Sequence, residues 1–86
     1  MPPRYRLQIL PRAEKELAKL PAQERHRIYP AIRDLADNPR PHGCTKLRGR
    51  EGWRIRVGAY RIIYTISDDV LVVTIEQVGH RRDIYE

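Results

Sequence analysis

The residue types that could do chemistry in this chain fall in two stretches. Gly52 to Tyr64, GWRIRVGAYRIIY, carries Arg54, Arg56 and Arg61; the last seven residues, HRRDIYE, carry His80, Arg81, Arg82, Asp83 and Tyr85. Arginines keep their proton in practice, so they suit binding and stabilising an anion, and any proton transfer must fall to another group. His80 and Tyr85 are the two candidates: histidine is the side chain that ordinarily titrates near neutrality, whereas a tyrosine needs neighbouring cations to favour its phenolate. No pair of carboxylates stands out, there is no Gly-rich phosphate loop, and His26, His42 and His80 are too scattered for a metal site, so no metal or cofactor is expected. What remains is metal-free chemistry on an anion. RNA offers such a reaction: its 2′-hydroxyl attacks the adjacent phosphate once a base takes the proton, cations stabilise the charge developing on phosphorus, and an acid protonates the departing 5′ oxygen.

Each of these residues also has a plain structural reading. A histidine at a strand end is often a surface or capping group, Trp53 and Tyr64 fit a core better than a base-stacking platform, and His26, between Arg25 and Arg27, reads as solvated. The single cysteine, Cys44, reads as a small loop residue; alone it excludes an internal disulfide and a cysteine-rich zinc site.

Charge supports the anion reading. Seventeen Lys and Arg face 11 Asp and Glu, a net charge of +6. The excess is concentrated: from Lys46 to Arg61 there are six basic residues (Lys46, Arg48, Arg50, Arg54, Arg56, Arg61) against one acid, Glu51. A compact basic patch is the electrostatic footprint of a nucleic acid or an acidic protein. Solubility would explain a basic face too, but lysine would serve it equally, while arginine suits planar contact with phosphate and bases.

The elements that must position these groups are legible from periodicity. Trp53 to Val57 alternates apolar and charged, Gly58-Ala59 is a two-residue loop of the type II′ kind, and Tyr60 onward is aromatic and β-branched, which specifies a hairpin. Its register pairs Val57 with Tyr60, Arg56 with Arg61, Ile55 with Ile62, Arg54 with Ile63 and Trp53 with Tyr64. One face is then apolar and the other carries Arg54, Arg56 and Arg61. Like charges directly opposite one another cost about 0.2–1 kcal/mol, so the pairing of Arg56 with Arg61 points to an anionic partner rather than to stability.

Arg4 to Leu10 alternates as a first strand, Arg12 to Leu20 has helical spacing and stops at Pro21, and a second helix is expected from Ala22 to Asp37. Pro30 inside it predicts a kink or a break near Tyr29. Asn38 to Gly52, with two prolines and three glycines, reads as a loop that carries Lys46, Arg48 and Arg50 to the edge of the arginine patch. A third alternating strand runs from Val70 to Val78. With Asp68-Asp69 as a two-residue turn, Leu71, Val73 and Ile75 join the core face, Thr74, Glu76 and Val78 lie on the arginine face, and Glu76 stands opposite Arg61. The order βααβββ gives one α+β domain over residues 1–86, an N-terminal strand and a two-helix hairpin packed on one face of an antiparallel sheet, the other face open to water. The longest aliphatic run, Val70 to Val73, is far too short to cross a bilayer, and the N-terminus lacks the apolar core of a signal peptide, so a cytoplasmic protein without membrane contact is expected.

Taken in order and spacing, LAKL (17–20), AIRDLADNPRP (31–41), KLRG (46–49), WRIRVGAYRIIY (53–64) and VGHRRDIY (78–85) resemble the RelE/ParE superfamily of toxins from bacterial and archaeal toxin–antitoxin pairs. The resemblance covers nearly the whole chain and implies a microbial-ribonuclease-like fold. For the RelE-like branch it implies a ribosome-dependent mRNA endonuclease that cuts the codon in the A site. It also implies a small acidic RelB-like antitoxin as partner, with operator DNA bound only through the complex. Position by position, the family's basic strand pair falls on Arg54 and Arg56, its two further arginines on Arg61 and Arg81, and its C-terminal aromatic on Tyr85. The strand pair is arginine where the best-described RelE members have lysine, so charge stabilisation is the role that transfers to it. The alternative reading is a ParE-like DNA gyrase poison that cuts nothing.

Overall fold

The computed structural model describes residues 4–83; Tyr85, and residues 1–3, 84 and 86, lie outside them. The elements in chain order are β1 (Arg6–Ile9), α1 (Pro11–Ala18), α2 (Ala22–Asp34), β2 (Thr45–Lys46), β3 (Trp53–Val57), β4 (Tyr60–Ser67) and β5 (Val72–His80). The strands form one sheet in the order β1-β5-β4-β3-β2. Both helices lie on one face, where Ala13 and Leu17 of α1 and Ile28 and Ile32 of α2 pack with Ile55, Ile62, Tyr64, Val73, Ile75 and Val78.

Local chemistry explains the helix limits. Pro11 opens α1, where its missing N–H is one that no helix would have paired. The Arg25 side chain donates from Nη1 to the carbonyls of Leu20 (2.9 Å) and Ala18 (3.2 Å), satisfying acceptors that α1 leaves at its end and tying the two helices together. Of the kink or break expected near Tyr29, the break does not occur: α2 runs through Pro30 and ends at Asp34 rather than Asp37. His26, whose carbonyl loses its partner to Pro30, is exposed like the proline itself, so water can serve that acceptor.

The α+β class and the strand-helix-helix-strands order are as the sequence predicts, and the sheet differs in three respects. It is mixed rather than wholly antiparallel, because β1 runs parallel to β5, from Arg6 opposite Val72 to Ile9 opposite Ile75. The stretch expected as a loop contributes the two-residue strand β2, which pairs Thr45 with Arg54 and Lys46 with Trp53. The turn between β4 and β5 is also longer than Asp68-Asp69: Ser67 pairs with Val72, and Leu71 closes the turn at φ 56°.

That longer turn changes the register of β5. Tyr64 pairs with Ile75 but Ile63 pairs with Gln77, so Glu76 is the additional residue of a β-bulge. The extra residue reverses the alternation, and Val78, expected on the arginine face, is buried in the core. Arg61 therefore stands opposite Gly79, not Glu76. Glu76 instead accepts from Arg50 Nη2 at 2.9 Å.

Beyond Ile75 the outer edge of β5 has no neighbour, since β1 has ended. There Glu16 of α1 substitutes for a strand, its Oε1 accepting from the Val78 N–H at 2.9 Å. The face away from the helices is not fully open either, because Leu47 of the 38–52 segment covers Ile63, and both are buried.

Candidate active site

The β3–β4 hairpin forms in the expected register, with Arg56 opposite Arg61 and Val57 opposite Tyr60. Gly58 takes φ +60° while Ala59 does not enter positive φ, which matches a type II′ turn and excludes I′. After β5 the chain continues along the same hairpin end: the Arg81 N–H donates to the Ala59 carbonyl at 2.8 Å. Arg81 is thereby carried to the arginine face, and Arg56, Gly58, Ala59, Tyr60, Arg61 and Arg81 line one cavity of about 280 Å³. Three cations thus converge, Arg56 and Arg61 from the two strands of the hairpin and Arg81 from beyond β5. Such a concavity concentrates positive potential and suits a phosphate group.

The remaining predicted site residues are distributed otherwise. Arg54 lies on the same face but further from the turn, its Nη2 donating to Thr45 Oγ1 at 3.1 Å. Arg50 is engaged by Glu76, and Arg48 is exposed. Lys46 stands opposite Trp53 and lines a separate small cavity with Arg40, Glu51 and Trp53.

His80 is opposite Tyr60, and so points to the helix side of the sheet rather than to the arginine face. Its ring meets Tyr60 edge-on, with centroids 5.7 Å apart. Its Nδ1 accepts from the Arg82 N–H at 3.2 Å. Around it a cavity of about 400 Å³ is bounded by Arg12 and Glu16 of α1, by Lys19 at the C-cap of that helix and by Asp83. The structure brings Arg56, Arg61 and Arg81 together, and places His80 across the sheet end from them.

Two residues at this site carried no functional signal in the sequence. Tyr60 reads there as a core aromatic, yet it is only half-buried and lines both the arginine cavity and the His80 cavity. Arg27, on α2, reads as one of many surface charges. Its guanidinium rests on the hairpin turn: a Cβ built on Gly58 would lie 3.2 Å from Nη1, 3.2 Å from Nη2 and 3.3 Å from Cζ. No periodicity could reveal a helix side chain reaching a turn so distant in the chain.

The same sheet face has an opposite pole. At the β4–β5 turn, Glu51, Asp68, Asp69 and Glu76 surround a cavity of about 550 Å³ with Thr65, Ser67 and Thr74. Asp68 and Glu76 are paired there with Arg40 and Arg50, so the face is strongly basic at the β3–β4 turn and carries no such excess of positive charge at the other end of β4.

A polar clamp holds the 38–52 segment against this frame. Asp68 accepts from the Tyr5 hydroxyl at 2.6 Å and from Arg40 at 2.9 and 3.3 Å, and the Arg40 guanidinium lies 5.3 Å from the Trp53 ring centroid. Hydrogen bonds from Arg40 and Tyr5 hold the Asp68 carboxyl below its ordinary range. The hydrogen bond to Asp68 in turn raises the Tyr5 phenol. Beneath the clamp the buried Tyr64 hydroxyl donates to the Pro39 carbonyl at 2.7 Å, and burial raises its pKa, keeping it a neutral donor. Gly52 closes the segment at φ +132°, where a Cβ would meet Leu47 Cδ1 at 3.0 Å and the Tyr64 carbonyl at 3.2 Å.

Fold and site together define a small basic α+β domain that presents a three-arginine cavity at the end of a hairpin. A family model described as the ParE toxin of type II toxin–antitoxin system, parDE, matches residues 7–85, and the chain belongs to that family. It is 34% identical over 83 residues to the toxin RelG of Mycobacterium tuberculosis, covering 94% of this chain and 95% of RelG. Among solved structures, the toxin–antitoxin complex RelBE2 of Mycobacterium tuberculosis aligns with a TM-score of 0.79 at 30% identity, over 91% of this chain and 99% of that one. The RelE–RelB complex of the archaeon Pyrococcus horikoshii aligns with a TM-score of 0.81 at 28% identity, over 93% and 98%. The chain is a type II toxin of a RelBE-like toxin–antitoxin pair.

Proposed function

We propose that this toxin is a cytoplasmic, ribosome-dependent mRNA endonuclease that cleaves in the A site without a metal. The observation that carries the reading is the convergence of Arg56, Arg61 and Arg81 on one cavity. A scissile phosphate seated there receives several charge-assisted hydrogen bonds, which strengthen as negative charge builds on its non-bridging oxygens. The 2′ oxygen attacks phosphorus and the bond to the 5′ oxygen breaks, giving a 2′,3′-cyclic phosphate and a 5′-hydroxyl end. Arg61 and Arg81 stabilise the transition state, and Arg54 and Arg56 hold the backbone, with Lys46, Arg48 and Arg50 at the periphery. Tyr85 and His80 are the candidates for proton transfer; His80 faces α1 across the sheet end, which weighs for Tyr85, four residues beyond Arg81. A small acidic RelB-like antitoxin is the partner that neutralises this basic chain, and operator DNA is bound through their complex.

A test is primer extension on a message incubated with the toxin in a translation extract. Cuts within translated codons, absent from the same message when its start codon is removed, are expected. A second reading, a DNA gyrase poison that acts by protein contact, draws on the ParE description of the family. Growth arrest with DNA damage and uncut messages would select it.

A further inference from the structure

The contact between Arg27 and Gly58 has a meaning beyond packing. The three distances from a Cβ at Gly58 to Nη1, Nη2 and Cζ of Arg27 are nearly equal, so the guanidinium lies with its flat face on the glycine and its N–H edges directed sideways. Gly58 itself lines the arginine cavity. Arg27 is exposed, and among the described residues it makes no hydrogen bond or ion pair. Its donors are therefore available at the rim of the site. A side chain at position 58 would occupy the space the guanidinium uses, and the positive φ there already favours glycine.

The polarity of the sheet face decides which way a bound strand continues. Leaving the cavity along β4, a nucleic-acid backbone would meet Glu51 and Asp69, and Asp68 and Glu76 in their ion pairs with Arg40 and Arg50. Leaving over the hairpin turn, it would meet Arg27. We propose that Arg27 is a further RNA-binding residue: it contacts the phosphate next to the one in the cavity, and the RNA crosses the hairpin turn toward α2. This rests on the reading of the cavity as an RNA-phosphate site, and it adds a binding residue from a helix and a direction for the chain.

The test is equilibrium binding of a short fluorescent single-stranded RNA, 2′-O-methylated so that it cannot be cut, measured from about 50 to 200 mM salt. One phosphate contact on a single strand contributes about 0.7 to the slope of log K against log salt. Arg27→Ala is expected to reduce the slope by about that amount and weaken binding severalfold, with an unchanged melting temperature. Arg27→Lys, which keeps the charge, is expected to restore the slope, as a purely structural role would not require. A slope in Arg27→Ala equal to that of the wild type overturns the proposal, as does a loss confined to binding of the antitoxin. Cleavage of translated mRNA by the wild type is scored separately. RNA binding with an Arg27-dependent slope but no cleavage would overturn the nuclease reading and leave the contact standing.

Discussion

Arg56 and Arg61 face each other directly across the β3–β4 ladder, on the side of the sheet away from the helices. Placing two guanidiniums in register works against folding, and the hairpin forms nonetheless because Ile55, Ile62 and Tyr64 on its other face are buried in the core. Replacing Arg56 by Thr, a good strand former, is expected to stabilise the fold by about 0.2–1 kcal/mol in chemical denaturation while weakening RNA binding. A variant less stable than the wild type would show that the pair is not strained.

The Tyr5–Asp68–Arg40 clamp gives a pH signature. The Asp68 carboxyl is held below its ordinary value of 3.8, so its contribution is complete above about pH 4 and is lost as pH falls through the folded-state value. The Tyr5 phenol is raised above its ordinary 10.0, so its contribution is present below about pH 10 and lost as pH rises through the folded-state value. Asp68→Asn is therefore expected to be destabilised relative to the wild type at neutral pH, with the gap closing toward pH 3. Urea midpoints across that range measure it, and a gap that widens in acid would contradict the assignment.

Glu16 covers the edge of β5 where β1 stops. Removing the carboxylate in Glu16→Ala leaves the Val78 N–H without its acceptor, at a cost of about 1–3 kcal/mol. The Val78 amide is expected to exchange with solvent markedly faster, and Glu16→Gln, which retains an acceptor, is expected to recover most of the protection. Equal exchange in wild type and Glu16→Ala would rule the contact out.

Leu47 and Ile63 form the small apolar cluster beneath the 38–52 segment. Truncation in Leu47→Ala is expected to cost about 2 kcal/mol, and to loosen the segment that positions Arg54 through Thr45. Denaturation midpoints read the first effect. Limited proteolysis between Asn38 and Gly52 reads the second, and resistance equal to the wild type would exclude it.

What the sequence disclosed and what it concealed divide along one physical line. The hairpin register was legible because Gly58-Ala59 fixes it locally and strict alternation leaves no other way to bury Ile55 and Ile62. The β5 register was not, because it is set by contacts distant in the chain. Tyr5 and Arg40 bind Asp68, in the turn that Leu71 closes at positive φ, and the register reaches the arginines only through the bulge at Glu76. The face on which His80 lies follows from that bulge, so alternation alone placed it with the arginines. Arg61 and Arg81 were legible as a basic set, and their meeting in one cavity depends on the Arg81 N–H reaching Ala59. Arg27 was hidden because nothing local connects a helix surface to a hairpin turn.

The central claim is that Arg61 and Arg81, in the cavity they share with Arg56, stabilise the charge that develops during cleavage, and the most direct measurement is single-turnover cleavage of ribosome-bound mRNA by Arg61→Ala and Arg81→Ala. Each substitution is expected to lower the saturating rate by about 10²–10³-fold, the size seen when one charge-stabilising donor is removed, with the melting temperature unchanged and the remaining product still bearing a 2′,3′-cyclic phosphate. Saturating rates equal to the wild type in both variants would contradict the account.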